Sequence, residues 1–207
     1  MDVRYAGIIS MTAGAVLIIT AASVVFYNIN CDSKASVASA ALVSEIKTDI
    51  SEYQNENNNG HHQVVSDNYD CGSEDVAWVR YDSGDYIGIL EIPTLDLELP
   101  VKKEWSYDAL KVSPCRYSGT AAHHDLIIAA HNYPCHFGNL EKLAADETVK
   151  FTDVQGKIYE YRTICTEIIY PVDNEYMKSD AWDLSLFTCT LSGKSRLTVR
   201  CVKINNN

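Results

Sequence analysis

Basic residues are few. The chain carries 17 Lys and Arg against 28 Asp and Glu, a formal net charge of -11 over 207 residues. No stripe of Lys and Arg runs along it, which argues against nucleic acid as a partner and against docking of the folded surface on anionic lipid. A phosphate-binding P-loop and a Gly-rich dinucleotide fingerprint are both missing, so nucleotide-driven chemistry has no sequence signal. Internal repeats are missing as well. What is present suits one globular domain with attachments, since 46% of the residues are hydrophobic and a sizeable core is within reach.

One uncharged run stands out, "AGIISMTAGAVLIITAASVVFY", Ala6 to Tyr27. As a helix it is about 33 Å long, enough to cross a bilayer. It exceeds the apolar core of about 7 to 15 residues found in a cleaved signal peptide, so residues 1–28 are expected to be a transmembrane anchor. Arg4 before the run and Asp32 after it favour a cytoplasmic N-terminus and an extracellular remainder. Residues 29–75 follow as a stalk. Ala38, Leu42, Ile46 and Ile50 fall four apart, with Tyr53 three further on, the spacing of one helix face, and "NENNNGHH" then reads as a polar linker.

From Val76 onward the composition changes to short runs rich in Ile, Val, Tyr and Thr. "YIGILEI", "LELPV", "LIIAAH", "KIYEYRTI", "TEIIYP", "LSLFTCT" and "RLTVRCV" read as strands, and Leu140 to Ala145 as a small helix. Residues 76–207 are therefore expected to form a mainly β domain, a sandwich or a barrel.

The stretch "LSLFTCTLSGKSRLTVRC" reads as a hairpin. With Thr190 to Ser195 as the connection, Cys189 pairs with Arg196, Phe187 with Thr198 and Ser185 with Arg200. Leu184, Leu186, Thr188, Leu197, Val199 and Cys201 then share the core face. A lone strand cysteine is most often a small buried hydrophobe. A guanidinium facing it changes that reading, because it can supply donors to an oxyanion. Arg200 lies four residues down the strand, about 13 Å away, and is expected to matter far less than Arg196.

A nucleophilic cysteine also needs a group that moves protons. In "LIIAAHNYPCHFGNL", His131 ends an apolar strand as the chain turns outward, where a rigid scaffold presents catalytic side chains. His136 is the lesser candidate, and His123 and His124 read as a solvated turn. The spacing of these histidines and Cys135 matches no standard zinc pattern, so no metal and no cofactor is expected. Seven cysteines leave six beside Cys189. Cys115 and Cys135 flank the histidine strand and are the pair to test for a bridge, with free thiols as the alternative.

These residues together resemble the sortases, membrane-anchored cysteine transpeptidases of Gram-positive bacteria. "LSLFTC" resembles the family's Thr-Leu-x-Thr-Cys signature, with Ser185 at the first threonine. "RLTVR" is similar to the strand carrying the catalytic arginine, "IIAAHNYPCHFGNLEKL" to the histidine segment, "YIGILEIPTLDLELPV" to the opening strands and "YSGTA" to the loop before the histidine strand. The resemblance runs in order from Tyr86 to Val202.

It implies a closed eight-stranded sortase β-barrel with short helices behind the anchor and stalk. It also implies a reaction on surface proteins bearing a C-terminal Leu-Pro-x-Thr-Gly-like sorting signal, with Cys189 as nucleophile, His131 as acid and base, and Arg196 holding the oxyanion. The acceptor would be an amine of a cell-wall precursor peptide or of another surface protein, and the enzyme would sit in the cell membrane as a single-pass protein. None of the five prolines follows an aspartate, as in the lid of pilin-polymerising members. The segment from Pro171 to Leu184 is too short for the class B helix, so the chain is class D-like or class A-like. A hydrolytic cysteine peptidase and a non-catalytic surface-binding module are the alternatives.

Overall fold

Alternation of period two turns most of the apolar runs into strands whose odd and even residues face opposite sides. The computed structural model describes residues 3–58, 69–71, 76–170, 174–178 and 181–204; of residues 3–10, 24, 26–35, 56–58, 69–71 and 174–175 it describes the backbone alone. The chain divides into two compact units, Met1–Lys34 and Ala35–Asn207.

Helix α1 spans Val3–Asn58. Within the first unit, Thr20 and Ser23 turn their hydroxyls back onto the carbonyls of Val16 (2.6 Å) and Ile19 (2.8 Å). Among the described residues no helix is long and apolar enough to cross a membrane. Several side chains of the Ala6–Tyr27 run, those of residues 6–10, 24, 26 and 27, lie outside the described set.

The second unit holds the sheet. Its strands are β1 (Tyr69–Cys71), β2 (Ala77–Tyr81), β3 (Gly84–Ile92), β4 (Leu97–Lys102), β5 (Cys115–Ser118), β6 (Leu126–Ala129), β7 (Thr148–Asp153), β8 (Ile158–Ile169), β9 (Leu184–Cys189) and β10 (Arg196–Lys203). Short helices α2 (Tyr107–Leu110) and α3 (Asn174–Met177) sit in the connections. Neighbours follow the order β3-β4-β5-β6-β9-β10-β8-β7, and β7 returns to pair with β3. That return closes an eight-stranded barrel, with β2 and then β1 extending outward from β3. The pairs β4–β5 and β6–β9 are parallel, the others antiparallel.

Closure needs a glycine. Gly88 has φ +155°, and a Cβ there would stand 2.1 Å from the Thr152 carbonyl on the facing strand. Inside the barrel, Leu90, Ile92, Leu126, Ile128, Leu184 and Leu186 are at most 1% exposed and pack in one cluster.

The structure differs from the sequence expectation in three places. The runs "KIYEYRTI" and "TEIIYP" are one strand, β8, which carries Ile164 as an extra residue where the register against Arg200 and Cys201 shifts. The expected helix after Leu140 is a single 3-10 turn, Leu140–Lys142. The stalk helix is not separate from the barrel. Val43, Ile46 and Ile50 of α1 are buried against Val79, Tyr86, Ile89 and Val154, while Ala38 is exposed. The buried face is thus Ser39, Val43, Ile46 and Ile50: Ile46 and Ile50 are as expected, Leu42 is partly buried beside them, and Ser39 takes the place expected for Ala38. Asp49 accepts a hydrogen bond from Tyr81, Lys47 pairs with Glu98, and Gln54 donates to the Gly156 carbonyl (3.1 Å). The folded unit therefore starts near Ala35 rather than at Val76. The linker around residues 59–68 lies outside the described residues.

Candidate active site

The β9–β10 hairpin has the expected register: Cys189 opposite Arg196, Phe187 opposite Thr198, Ser185 opposite Arg200. Its six-residue connection folds tightly on itself. Thr190 N–H donates to the Ser195 carbonyl at 3.0 Å, and Gly193 N–H to the Thr190 carbonyl at 2.8 Å. Leu184, Leu186, Val199 and Cys201 point into the barrel, fully buried. Cys189, at the exposed end of β9, points outward.

On the other edge of β9 lies β6, in parallel register: Leu126 beside Leu184, Ile127 beside Ser185, Ile128 beside Leu186 and Ala129 beside Phe187. The two chains stay together beyond the ladder. Ala130 N–H donates to the Phe187 carbonyl (3.1 Å), and the Thr188 hydroxyl donates to the Ala130 carbonyl (2.9 Å). Continuing this register by two residues sets His131 beside Cys189, on the outward face, since Ile127 and Ala129 already belong to the outer apolar cluster. Adjacent strands are about 4.8 Å apart. On that continuation His131, two residues past the end of β6, falls in one row with Cys189 and Arg196, with the cysteine in the middle.

The surroundings equip each member of the row differently. His131 is half-buried and its ring lies 4.9 Å from that of Tyr133. The loop after it is held by Phe137 N–H on the His131 carbonyl (3.2 Å) and by Gly138 N–H on the Tyr133 carbonyl (2.8 Å). Burial, and secondarily the Lys111 ammonium, lower the His131 pKa below the ordinary imidazole value. The folded state thus holds this proton less firmly than the unfolded chain, and His131 costs stability as pH falls through its ordinary range. Nη1 of Arg196 is seated on the carbonyls of Gly193 (3.3 Å) and Ser195 (3.1 Å), which fixes the guanidinium at the mouth of the hairpin.

Lys111→Met should raise the His131 pKa without restoring it fully, because burial is the larger cause. Titration of the imidazole by NMR checks this. An unmoved midpoint would remove Lys111 from the electrostatics of the site.

Two features of the outer face were not foreseen. Arg200 faces Ser185 as expected, yet its side chain is 0% exposed. It bonds Glu167 on β8 (2.6 Å), Ser185 on β9 (2.8 Å) and the carbonyls of Tyr176 (2.9 Å) and Met177 (3.0 Å) in α3. The outer side of the hairpin is also more apolar than expected. Phe187 packs with Ile127, Ala129, Ile169, Met177 and Leu110 in a second buried cluster just below Cys189. Tyr117 lies edge-on to Phe187 at 5.2 Å, and Trp105 to Tyr117 at 6.0 Å. Sequence reasoning missed Tyr176 and Met177 because the segment between β8 and β9 carries no periodic signal, and Glu167 because it sits on β8, whose pairing with β10 has no local trace; the one available cue was the parity that puts Arg200 and Ser185 on the same face.

The remaining candidates fall elsewhere. His136 is fully buried, and His124 reaches Asp183 at 3.5 Å on the far side of β6. Cys115 and Cys135 are not joined in a disulfide.

A family model described as the sortase domain matches residues 90–204, which span the chain from β3 to β10 and include the whole row. The chain belongs to the sortase family. It is accordingly a sortase-type cysteine transpeptidase. Among solved structures, this sortase is similar to a Clostridium perfringens sortase D5 transpeptidase, 19% identical, with a TM-score of 0.59 over 82% of this chain and 99% of that one. A Streptococcus pneumoniae sortase C is 20% identical, with a TM-score of 0.55 over 80% and 97%. A Clostridium perfringens sortase C solved with the C-terminal cell wall sorting motif is 22% identical, with a TM-score of 0.53 over 80% and 91%. At these identities the likeness shows the barrel fold. A comparison with curated proteins gives no match.

Proposed function

We propose that this sortase cuts a Leu-Pro-x-Thr-Gly-like sorting signal between Thr and Gly and joins the new Thr carbonyl to an amine. The row His131, Cys189, Arg196 carries this reading. Cys189 gives its thiol proton to His131 as its sulfur attacks the Thr carbonyl, and Arg196 holds the oxyanion that forms. Collapse breaks the C–N bond, and the Gly amine leaves with a proton from His131. The acceptor amine then attacks the thioester, His131 takes its proton, and the C–S bond breaks to release free Cys189.

The apolar cluster around Phe187 supports the direction of binding. The residues ahead of the scissile bond are apolar, Leu and Pro, and Phe187 lies two residues before Cys189 on the same face. The complex of Clostridium perfringens sortase C with a sorting motif lends the substrate class further support. The four-residue α3 in the β8–β9 connection is compatible with a class D-like or class A-like enzyme, since a class B member would carry a long helix there.

The Ala6–Tyr27 run is read as a single-pass anchor in the cell membrane, with the barrel outside. The return of the Thr20 and Ser23 hydroxyls to their own helix supports it, because hydrocarbon offers no other partner. The acceptor is read as an amine of a cell-wall precursor peptide or of another surface protein, both of which lie at that membrane face.

Incubating residues 35–207 with a sorting peptide and a small amine, followed by mass spectrometry, tests the reading. The Thr–amine adduct is expected. Free Thr carboxylate as the sole product at saturating amine would make the chain a hydrolytic peptidase. Arg196→Lys keeps a charge but loses the planar fork of donors, and should lower kcat/KM by about 10²-fold with the fold intact.

A further inference from the structure

Arg200 is the most deeply buried charged group of the described residues, and it is connected to four elements at once. It leaves β10, meets the carboxylate of Glu167 on β8 and the hydroxyl of Ser185 on β9, and caps two consecutive carbonyls of α3. Its guanidinium lies 5.5 Å from the centroid of the Tyr176 ring, and the Tyr176 hydroxyl closes the loop onto the second Glu167 oxygen at 3.0 Å. Every bond fits a guanidinium fork and none needs solvent. A buried charge paired and hydrogen-bonded in this way is costly to disturb and fixes what it touches.

What it touches carries part of the outer apolar cluster. Met177 is 5% exposed and sits in the cluster with Phe187, Ile169 and Ala129. The helix that carries it is only four residues long and has little cooperative stability of its own. Its place on the barrel therefore depends on outside contacts, and Arg200 supplies two of them directly and a third through Glu167 and Tyr176.

We infer that Arg200, paired with Glu167, is a positioning residue: it clamps α3 to the barrel so that Met177 stays packed with Phe187 and Ile169, the apolar surface on which the residues ahead of the scissile bond would lie. The inference rests on the transpeptidase reading above for what meets that surface. Arg200 touches neither Cys189 nor the reacting carbonyl. Its loss should act on recognition, whereas the loss of Arg196 should act on turnover.

The test uses residues 35–207 in the Cys189→Ala form, where a labelled Leu-Pro-x-Thr-Gly peptide binds without reacting. Arg200→Lys retains the charge and loses the fork, and should weaken binding about tenfold, as expected for losing one to two hydrogen bonds to a charged group. It should also erode the preference for Leu over Ala at the first peptide position, since that preference reads the packing of Met177 in the cluster. Glu167→Gln is isosteric at a partly exposed carboxylate, and serves if Arg200→Lys does not fold; it should shift both measures the same way by about threefold. Hydrogen exchange across residues 174–178 should accelerate in either variant while β8, β9 and β10 keep their rates. A folded variant with unchanged affinity, unchanged Leu preference and unchanged exchange at 174–178 overturns the clamp. Exchange that rises equally across the sheet does so too, because it reports loss of stability in general. If the Cys189→Ala parent binds no peptide, the substrate reading fails, and the exchange measurement still decides whether Arg200 holds α3.

Discussion

Cys189→Ala should abolish turnover, by roughly 10⁴-fold or more, and leave the melting transition in place. The two halves of this expectation have separate causes. Activity goes because the thioester is the sole route from sorting signal to amine in the proposed scheme, and neither His131 nor Arg196 is a nucleophile of comparable strength. Stability remains because the side chain is exposed and makes none of the bonds that hold the site. The link between β6 and β9 runs through Thr188 and Ala130, and the hairpin is closed by Thr190 and Ser195. Mass spectrometry of the protein mixed with sorting peptide should show an acyl adduct in the parent and none in the variant. Alkylation separates Cys189, together with the exposed Cys165, from the buried thiols Cys115 and Cys201. Burial pushes Cys115 and Cys201 up to about 12, so at neutral pH they stay protonated and inaccessible, whereas Cys189 stands in solvent. Full activity in Cys189→Ala would end the covalent mechanism.

A chain starting at Asp75 should fail to fold, while one starting at Ala35 should fold and cleave peptide. The shorter chain lacks Val43, Ile46 and Ile50, whose burial contributes roughly 1.5–3 kcal/mol each. Together that is roughly 5 to 9 kcal/mol as an upper bound, against a total stability of about 5–15 kcal/mol for a domain. Removing the helix also leaves Val79, Tyr86, Ile89 and Val154 facing water as one patch beside the barrel closure. Thermal unfolding of the two chains decides the matter. Equal melting temperatures would mean that α1 is an ornament on the barrel and that its apolar face serves another partner.

The hairpin register was legible because a single physical rule governs it. Side chains alternate, so the length of the Thr190–Ser195 connection alone decides which residue faces Cys189. His131 was legible for a different reason: an apolar run that stops at a histidine and a turn marks a strand delivering that residue to a surface. The parallel neighbour that puts it beside Cys189 left no local trace, since the partners are 58 residues apart in sequence and only the closed sheet brings them together. Arg200 was placed correctly opposite Ser185 but without its partners, because alternation tells which side a residue faces and not what covers that side. Glu167 and the carbonyls of Tyr176 and Met177 do the covering, and backbone carbonyls are invisible to any reading of side-chain types. The stalk helix was found by its spacing, yet its partner surface on β2 and β3 was not, because an amphipathic face announces that it will be buried without naming what will bury it.

The parallel pairing of β6 with β9 also dictates the order in which the site can come into being. His131 belongs to the middle of the chain, while Cys189 and Arg196 arrive on a hairpin that forms from near neighbours. Contacts at such separation form late and slowly compared with a hairpin. Until β9 and β10 have slid between β6 and β8 and sealed the wall, the cysteine therefore stands apart from the histidine proposed to carry its proton. A half-emerged molecule carries all the apolar strands needed to stick to its neighbours and none of the assembled chemistry, so the catalyst is switched on by the same event that completes the barrel.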